Sequence, residues 1–153
     1  MSNWNVQMAV CATFAALLLF PAHAAADQQA FIWTADDPEL EWGPCPDYFP
    51  EGCGIAVLQG NPTQPNADVF LRLPAGAEVP LHWHSSAERM VLITGEFSVD
   101  YDGQDPVVMR AGTYAYGPAG LAHTAHCRDQ GQCILFIAFE DPVDAIPGRR
   151  HEH

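Results

Sequence analysis

From residue 55 onward, apolar residues recur at every second position in short runs, the period of a strand with one buried face. Residues 55–59 (IAVLQ) form one run, closed by Gly60-Asn61-Pro62. Residues 68–73 alternate, with Val69, Leu71 and Leu73 on one face and Phe70 and Arg72 on the other. Pro74-Ala75-Gly76 turns the chain into runs over 81–84 and Glu88–Thr94. Gly95 leads into Glu96–Tyr101, where Phe97, Val99 and Tyr101 share a face, and Asp102-Gly103 is a hairpin signal. Residues 107–109, 113–116 and 122–127 are further short runs. Cys133–Phe139 is apolar on both faces and so predicted to be buried on both. About nine or ten short strands with no helical period predict an all-β sandwich or barrel.

The flanks read differently. Residues 1–26 contain no Asp, Glu, Lys or Arg, and an apolar run over 8–20 gives way to Pro21 and a small-residue stretch. That is the pattern of a signal peptide cleaved after Ala24 or Ala26, too short for the ~20 residues that span a bilayer. It predicts a periplasmic or secreted protein with no membrane contact after cleavage. Residues 27–54 follow neither period and predict an irregular extension. Its Trp33, Trp42, Tyr48 and Phe49 are anchors for packing on an outer sheet face or for a lid over the barrel mouth. The barrel is predicted over 55–141, and residues 142–153, Pro-interrupted and polar, are expected to form a flexible tail.

Composition narrows the partners. The formal charge is −13, carried against six Arg and no Lys. A nucleic-acid partner is excluded by the lack of a basic face, and Schiff-base chemistry by the lack of Lys. Outward-facing Val91 and Ile93 want cover, which predicts a homodimer. Four cysteines remain after the signal: Cys45, Cys53, Cys127 and Cys133. In an exported chain they suggest disulfides, with three pairings open. Cys45–Cys53 and Cys127–Cys133 close the shortest loops, the second stapling a hairpin. The competing reading leaves Cys127 as a free thiol in the pocket.

The chemistry sits in two stretches. His82 and His84 are two apart in a strand and point the same way, inward if Trp83 points out. Glu88 follows the Ser85-Ser86 turn and shares its face with Met90 and Leu92, and His123 lies in the 122–127 run. An unpaired carboxylate in an apolar interior is strongly disfavoured, and a bound dication removes the problem. Neutral imidazoles with one carboxylate suit Mn, Fe, Ni, Cu or Zn better than Ca or Mg. A lone histidine would read as a satisfied core group; three with a glutamate read as one divalent transition-metal site. Around an octahedral ion two positions stay open for a small molecule, whereas a tetrahedral zinc would be filled and structural. Tyr114 and Tyr116 share a face with Gly112 and are the candidate catalytic residues, as general acid or substrate-orienting groups, against a role in packing. Met90, Met109, Phe97 and Phe136 are candidates to surround the site. His126, three residues from His123, faces the other way.

These residues resemble the two cupin motifs: Gly76-x5-His82-x-His84-x3-Glu88-x6-Gly95, then Gly112-x5-Pro118-x-Gly120-x2-His123. The second motif usually ends in Asn, where this chain has Cys127. The resemblance implies a double-stranded β-helix, or jelly-roll barrel, around one divalent metal held by His82, His84, Glu88 and His123. It does not imply a reaction. The expected function is a metal-dependent, dioxygenase-like oxidoreductase acting on a small organic molecule. The alternatives are a non-catalytic metal-containing binding or sensing domain and, more weakly, a structural zinc barrel.

Overall fold

A computed structural model of the chain describes residues 29–128 and 131–149. The expected signal segment and the His151/His153 pair lie outside the described residues. A folding unit begins at Ile32 and carries every element below. The described residues form eleven strands: β1 (Trp42–Pro44), β2 (Gly54–Gln59), β3 (Ala67–Leu73), β4 (Glu78–Trp83), β5 (Glu88–Thr94), β6 (Glu96–Tyr101), β7 (Val107–Arg110), β8 (Tyr114–Gly117), β9 (His123–Cys127), β10 (Cys133–Phe139) and β11 (Ile146–Pro147). They make two antiparallel sheets, one ordered β1-β2-β3-β10-β5-β8 and the other β11-β4-β9-β6-β7. This is the jelly-roll barrel.

Alternation builds the core between the sheets. Val69, Leu73, Met90, Leu92, Leu135, Ile137 and Phe139 point inward from the six-stranded sheet. Val79, Phe97, Val99, Met109 and Ala125 meet them from the five-stranded sheet. Each such side chain removed from water contributes about 1.5–3 kcal/mol. Gly95 alone separates β5 from β6, so the chain changes sheet there at a single residue. Its φ of +86° needs glycine, and a Cβ would come within 2.8 Å of the Gln132 carbonyl and 2.9 Å of Cys133 Sγ.

Part of the extension packs on the outer sheet face, and part reaches the inner core. Leu40 and Trp42, with Trp33, cover Ala56, Phe70, Ile134 and Phe136 on the outer face of the six-stranded sheet. Arg72 stacks on Trp42, 4.2 Å from the ring centre. The loop from Cys45 to Cys53 instead turns over the barrel mouth, where Phe49 packs on the inner core. β1 and β11 depart from expectation. Residues 142–149 are not a flexible tail but are tied into the barrel: Ile146 and Pro147 pair with Trp83 and His82, and Arg149 holds Asp102 through a 2.9 Å contact. An edge pairing of two residues leaves no periodic signal in the sequence.

Both local disulfides form, Cys45–Cys53 and Cys127–Cys133. Cys127 is therefore not a free thiol. Nor is the second bond a hairpin staple: β9 and β10 lie in different sheets, so it ties one sheet to the other. The first bond closes the loop between paired strands β1 and β2, where Pro44 faces Gly54. Closing loops this short is worth about 2 kcal/mol each in chain entropy. A Cys45→Ser/Cys53→Ser variant is thus expected to lose about 2 kcal/mol in urea unfolding. An unchanged midpoint would show that the bond does not restrain the loop.

Candidate metal centre

β4 carries Pro80, which has no N–H to give to the ladder, and its pairing with β9 shifts register between Val79 and His82. Past the irregularity His82 pairs directly with His123. Their rings stand 4.3 Å apart between centres. His84 follows the last residue of β4. Each imidazole gives its Nδ1 to a backbone carbonyl: His82 to Pro80 at 2.8 Å, His123 to Leu121 at 3.2 Å, and His84 to Asp144. A carbonyl can only accept, so each Nδ1 carries the proton and each Nε2 presents a lone pair inward. Burial, then the neighbouring His123, pushes His82 down to about 3. Burial also lowers His123. Both rings are held in the neutral form that a metal requires. One ligand atom from each of the three histidines lies within 4.8 Å of the others.

Glu88 enters from the opposite sheet. Its Oε2 lies 3.6 Å from His84 Nε2 and its Oε1 3.6 Å from His123 Nε2. Those separations are too long for hydrogen bonds but suit donor atoms sharing one cation at about 2.0–2.2 Å. Glu88 is 3% exposed, and its Oε1 is buried with no hydrogen-bond partner. Such an orphaned carboxylate is costly unless a cation answers it. The donor set therefore fits a divalent transition ion.

Three supporting features escaped the sequence reading. Gly117 pairs with Glu88 across β5 and β8, and a Cβ there would stand 2.8 Å from Glu88 Oε1 and 2.9 Å from its Cγ. A bare backbone is what lets the carboxylate lie flat at this point. The same Cβ would be 3.2 Å from the Tyr101 hydroxyl. Tyr101 pairs with His123, and its hydroxyl is buried without a partner. Burial, then the charge of Glu88, raises that hydroxyl above the ordinary tyrosine range. Asp144 clamps the turn between β4 and β5. Beyond its carbonyl contact to His84, its carboxylate accepts from Ser85 N at 2.9 Å and Ser85 Oγ at 2.5 Å. Gly117 and Tyr101 could have been found by strand parity and register; Asp144, in the presumed tail, carried no signal.

The four side chains line a cavity of about 170 Å³ between the sheets. Cys45, Pro46 and Phe49 bound it on one side, and Val143, Asp144 and Ala145 also contribute. Phe49 meets the His82 ring edge-on at 5.2 Å. The structure thus brings His82, His84 and His123 within ligating reach of one another, with Glu88 3.6 Å from His84 and from His123. Tyr114 and Tyr116 are not brought to this site: they are 59% and 51% exposed on the outer face. In β8 alternation turns Ala115 and Gly117 inward, so the two tyrosines must face out. Met90 and Phe97 line the cavity, Met109 is core away from it, and Phe136 packs on Phe70 outside.

Gly117→Ala tests the close approach without any metal. It is expected to destabilise the metal-free protein by about 1–3 kcal/mol, and by much less in a Glu88→Ala background. Additive effects in urea unfolding would show that the two residues do not collide.

Solved structures of similar fold include the DMSP lyase DddQ from Ruegeria pomeroyi, with TM-score 0.62 and 17% identity over 74% of this chain and 64% of that one. The chain therefore spans just under two thirds of that lyase's length. An RmlC-like cupin from Shewanella frigidimarina matches with TM-score 0.58 and 24% identity, over 77% of this chain and 96% of that chain. A mutant of the oxalate decarboxylase OxdC from Bacillus subtilis matches with TM-score 0.57 and 22% identity, over 71% of this chain and 30% of that chain. At these identities the likeness is one of fold. Among curated proteins none matches the chain in sequence with significance. The family model of the ChrR cupin-like domain, however, matches residues 28–141, most of the chain. With its two sheets and its three inward histidines, the protein belongs to the ChrR cupin-like family of the cupin superfamily.

Proposed function

We propose that this cupin holds one divalent transition ion through His82, His84, Glu88 and His123 and acts on a small organic molecule as an oxygenase-type enzyme. The carrying observation is the buried Glu88 oxygen, which has no partner and lies 3.6 Å from an imidazole nitrogen whose lone pair points inward. A bound ion would supply Lewis acidity and, for a redox-active metal, electron transfer to a molecule in the cavity. The chain's own part is to fix the donors. Backbone carbonyls set the tautomers, Asp144 anchors the turn that carries His84, and the surrounding Val, Leu, Ile and Phe side chains exclude water.

The cavity lining supports chemistry centred on the ion rather than on a protein acid or base. Among the described lining residues the one ionisable side chain apart from the four donors is Asp144, whose carboxylate is already held by Ser85. A decarboxylase or lyase reading drawn from the structural neighbours would want a free proton carrier in that place. The same lack favours the second reading, a metal-containing domain that binds or senses a small molecule without turnover. Dioxygen uptake with candidate diketones, phenols and acids separates the two: consumption above the metal-free control supports the enzyme, and none across the series with a fully loaded protein supports the sensor.

The ligand set has its own test. His84→Ala is expected to reduce bound metal, measured by elemental analysis of the purified protein, to well below one ion per chain. Full occupancy in that variant would remove His84 from the site. Export is part of this reading and is supported by the two disulfides, which persist in oxidising compartments. A mature N-terminus at Ala25 or Asp27 is expected from protein sequencing; an intact Met1 would overturn it.

A further inference from the structure

The cavity has polar groups at one place only. Val69, Leu71, Met90, Val99, Leu135 and Ile137 are among its walls, and among the described residues no Arg, Lys, Ser, Thr, Asn or Gln lines it. The Asp144 oxygens are taken up by Ser85, and the Cys45 sulfur is in a disulfide. The five described arginines are all engaged elsewhere: Arg72 on Trp42, Arg89 with Glu140, Arg110 and Arg128 with Glu96, and Arg149 with Asp102. Anything bound here can therefore make polar contacts only at the donor cluster, and must leave the rest of itself against hydrocarbon.

Charge sets a second limit. A dication coordinated by Glu88 keeps one positive charge at the cluster, which a singly charged ligand head neutralises, and the Asp144 carboxylate on the wall adds further negative charge. No cation or hydrogen-bond donor among the described lining residues would meet a second anionic group, so such a group is disfavoured. Size sets a third. At about 170 Å³ the space slightly exceeds the ~150 Å³ apolar cavity known to admit benzene.

We propose that this cavity binds a small molecule with one metal-binding head, at most singly charged (a carboxylate, enolate or phenolate), and an apolar body about the size of a benzene ring. The inference rests on the metal reading above and adds the substrate class. It sets aside dicarboxylates such as oxalate, even though one neighbour of like fold is an oxalate decarboxylase.

The test uses the folded protein loaded with Co²⁺ and its metal counted first. Calorimetric titration with benzoate, acetate and oxalate at one pH is expected to show benzoate binding at least ten-fold more tightly than either of the others. Oxalate equal to or tighter than benzoate overturns the charge limit, and acetate equal to benzoate overturns the apolar body. Toluene added to the metal-free protein is expected to shift the methyl resonances of Val99 and Leu135; no shift overturns the apolar chamber whatever the metal does. A protein that takes up no Co²⁺ but does bind toluene would sink the metal reading and the head group while leaving the chamber standing. Leu71→Trp, which fills part of the chamber from a half-buried wall position, is expected to weaken benzoate at least ten-fold with metal content unchanged. Unchanged benzoate affinity in that variant overturns the placement of the ligand body. If the variant does not fold, the benzoate, oxalate and toluene titrations decide alone.

Discussion

The arrangement turns on one unanswered charge. Glu88 crosses from one sheet toward three imidazoles on the other, and among the described residues no Arg or Lys lines the space between them. Two sheets packed face to face are held mainly by the non-directional burial of apolar side chains. A carboxylate set among neutral ring nitrogens adds a directional demand at one point. Met90 and Leu92 share the strand face of Glu88 and are buried, so the carboxylate cannot swing to solvent without unmaking β5. The strand's packing fixes the charge in place, and a cation held there would link the two sheets through their side chains.

The surroundings are arranged to keep that point open and rigid. The Cys127–Cys133 bond ties the sheets together on the far side of β9 from His123, and Gly95 passes the chain from one sheet to the other beside it. The disulfide-closed loop sets Phe49 against the His82 ring, and the 141–145 segment holds the turn that carries His84. Asp141 N donates to Ser86 Oγ, and Asp144 holds Ser85 and His84. Fixing donors by backbone hydrogen bonds reduces the entropy lost when a ligand or ion is bound. This explains why a segment with no strand pattern contacts the site.

Much of this was legible in the sequence, and the limits have physical causes. Period-two alternation located most of the strands, because burial of one face imposes it, and a continuous apolar run located β10; β5, β6 and β10 matched residue for residue. His82 and His84 were legible because strand spacing sets them on one face, whereas Glu88 and His123 were joined to them by the resemblance to the two motifs. Parity does not say which side is inside, and Tyr114 and Tyr116 show this: they share a face, but it is the outer one. Gly117 reads as one more turn glycine in a Gly-rich stretch, and only its register opposite Glu88 reveals that it clears space. β1, β11 and the Asp144 clamp depend on contacts between segments far apart in the chain, which local pattern cannot report. The 127–133 loop looked like a hairpin because its strands are adjacent in sequence, yet a jelly roll sends such neighbours to opposite sheets.

The same fold carries unrelated chemistry in its structural neighbours, so the barrel cannot decide what binds in it. The walls can. In the interior of a small barrel nearly every inward position is needed to fill the core, and polar residues there must be satisfied or they destabilise it. A chain that spends its few buried polar groups on one cluster and keeps the remaining inward positions aliphatic or aromatic has restricted its ligands twice. It admits a head that the cluster can hold, and it leaves the rest of the ligand nothing to bind except hydrocarbon. Selectivity then comes less from added contacts than from the absence of any partner for a second polar group, which is the stronger form of discrimination in a dry site.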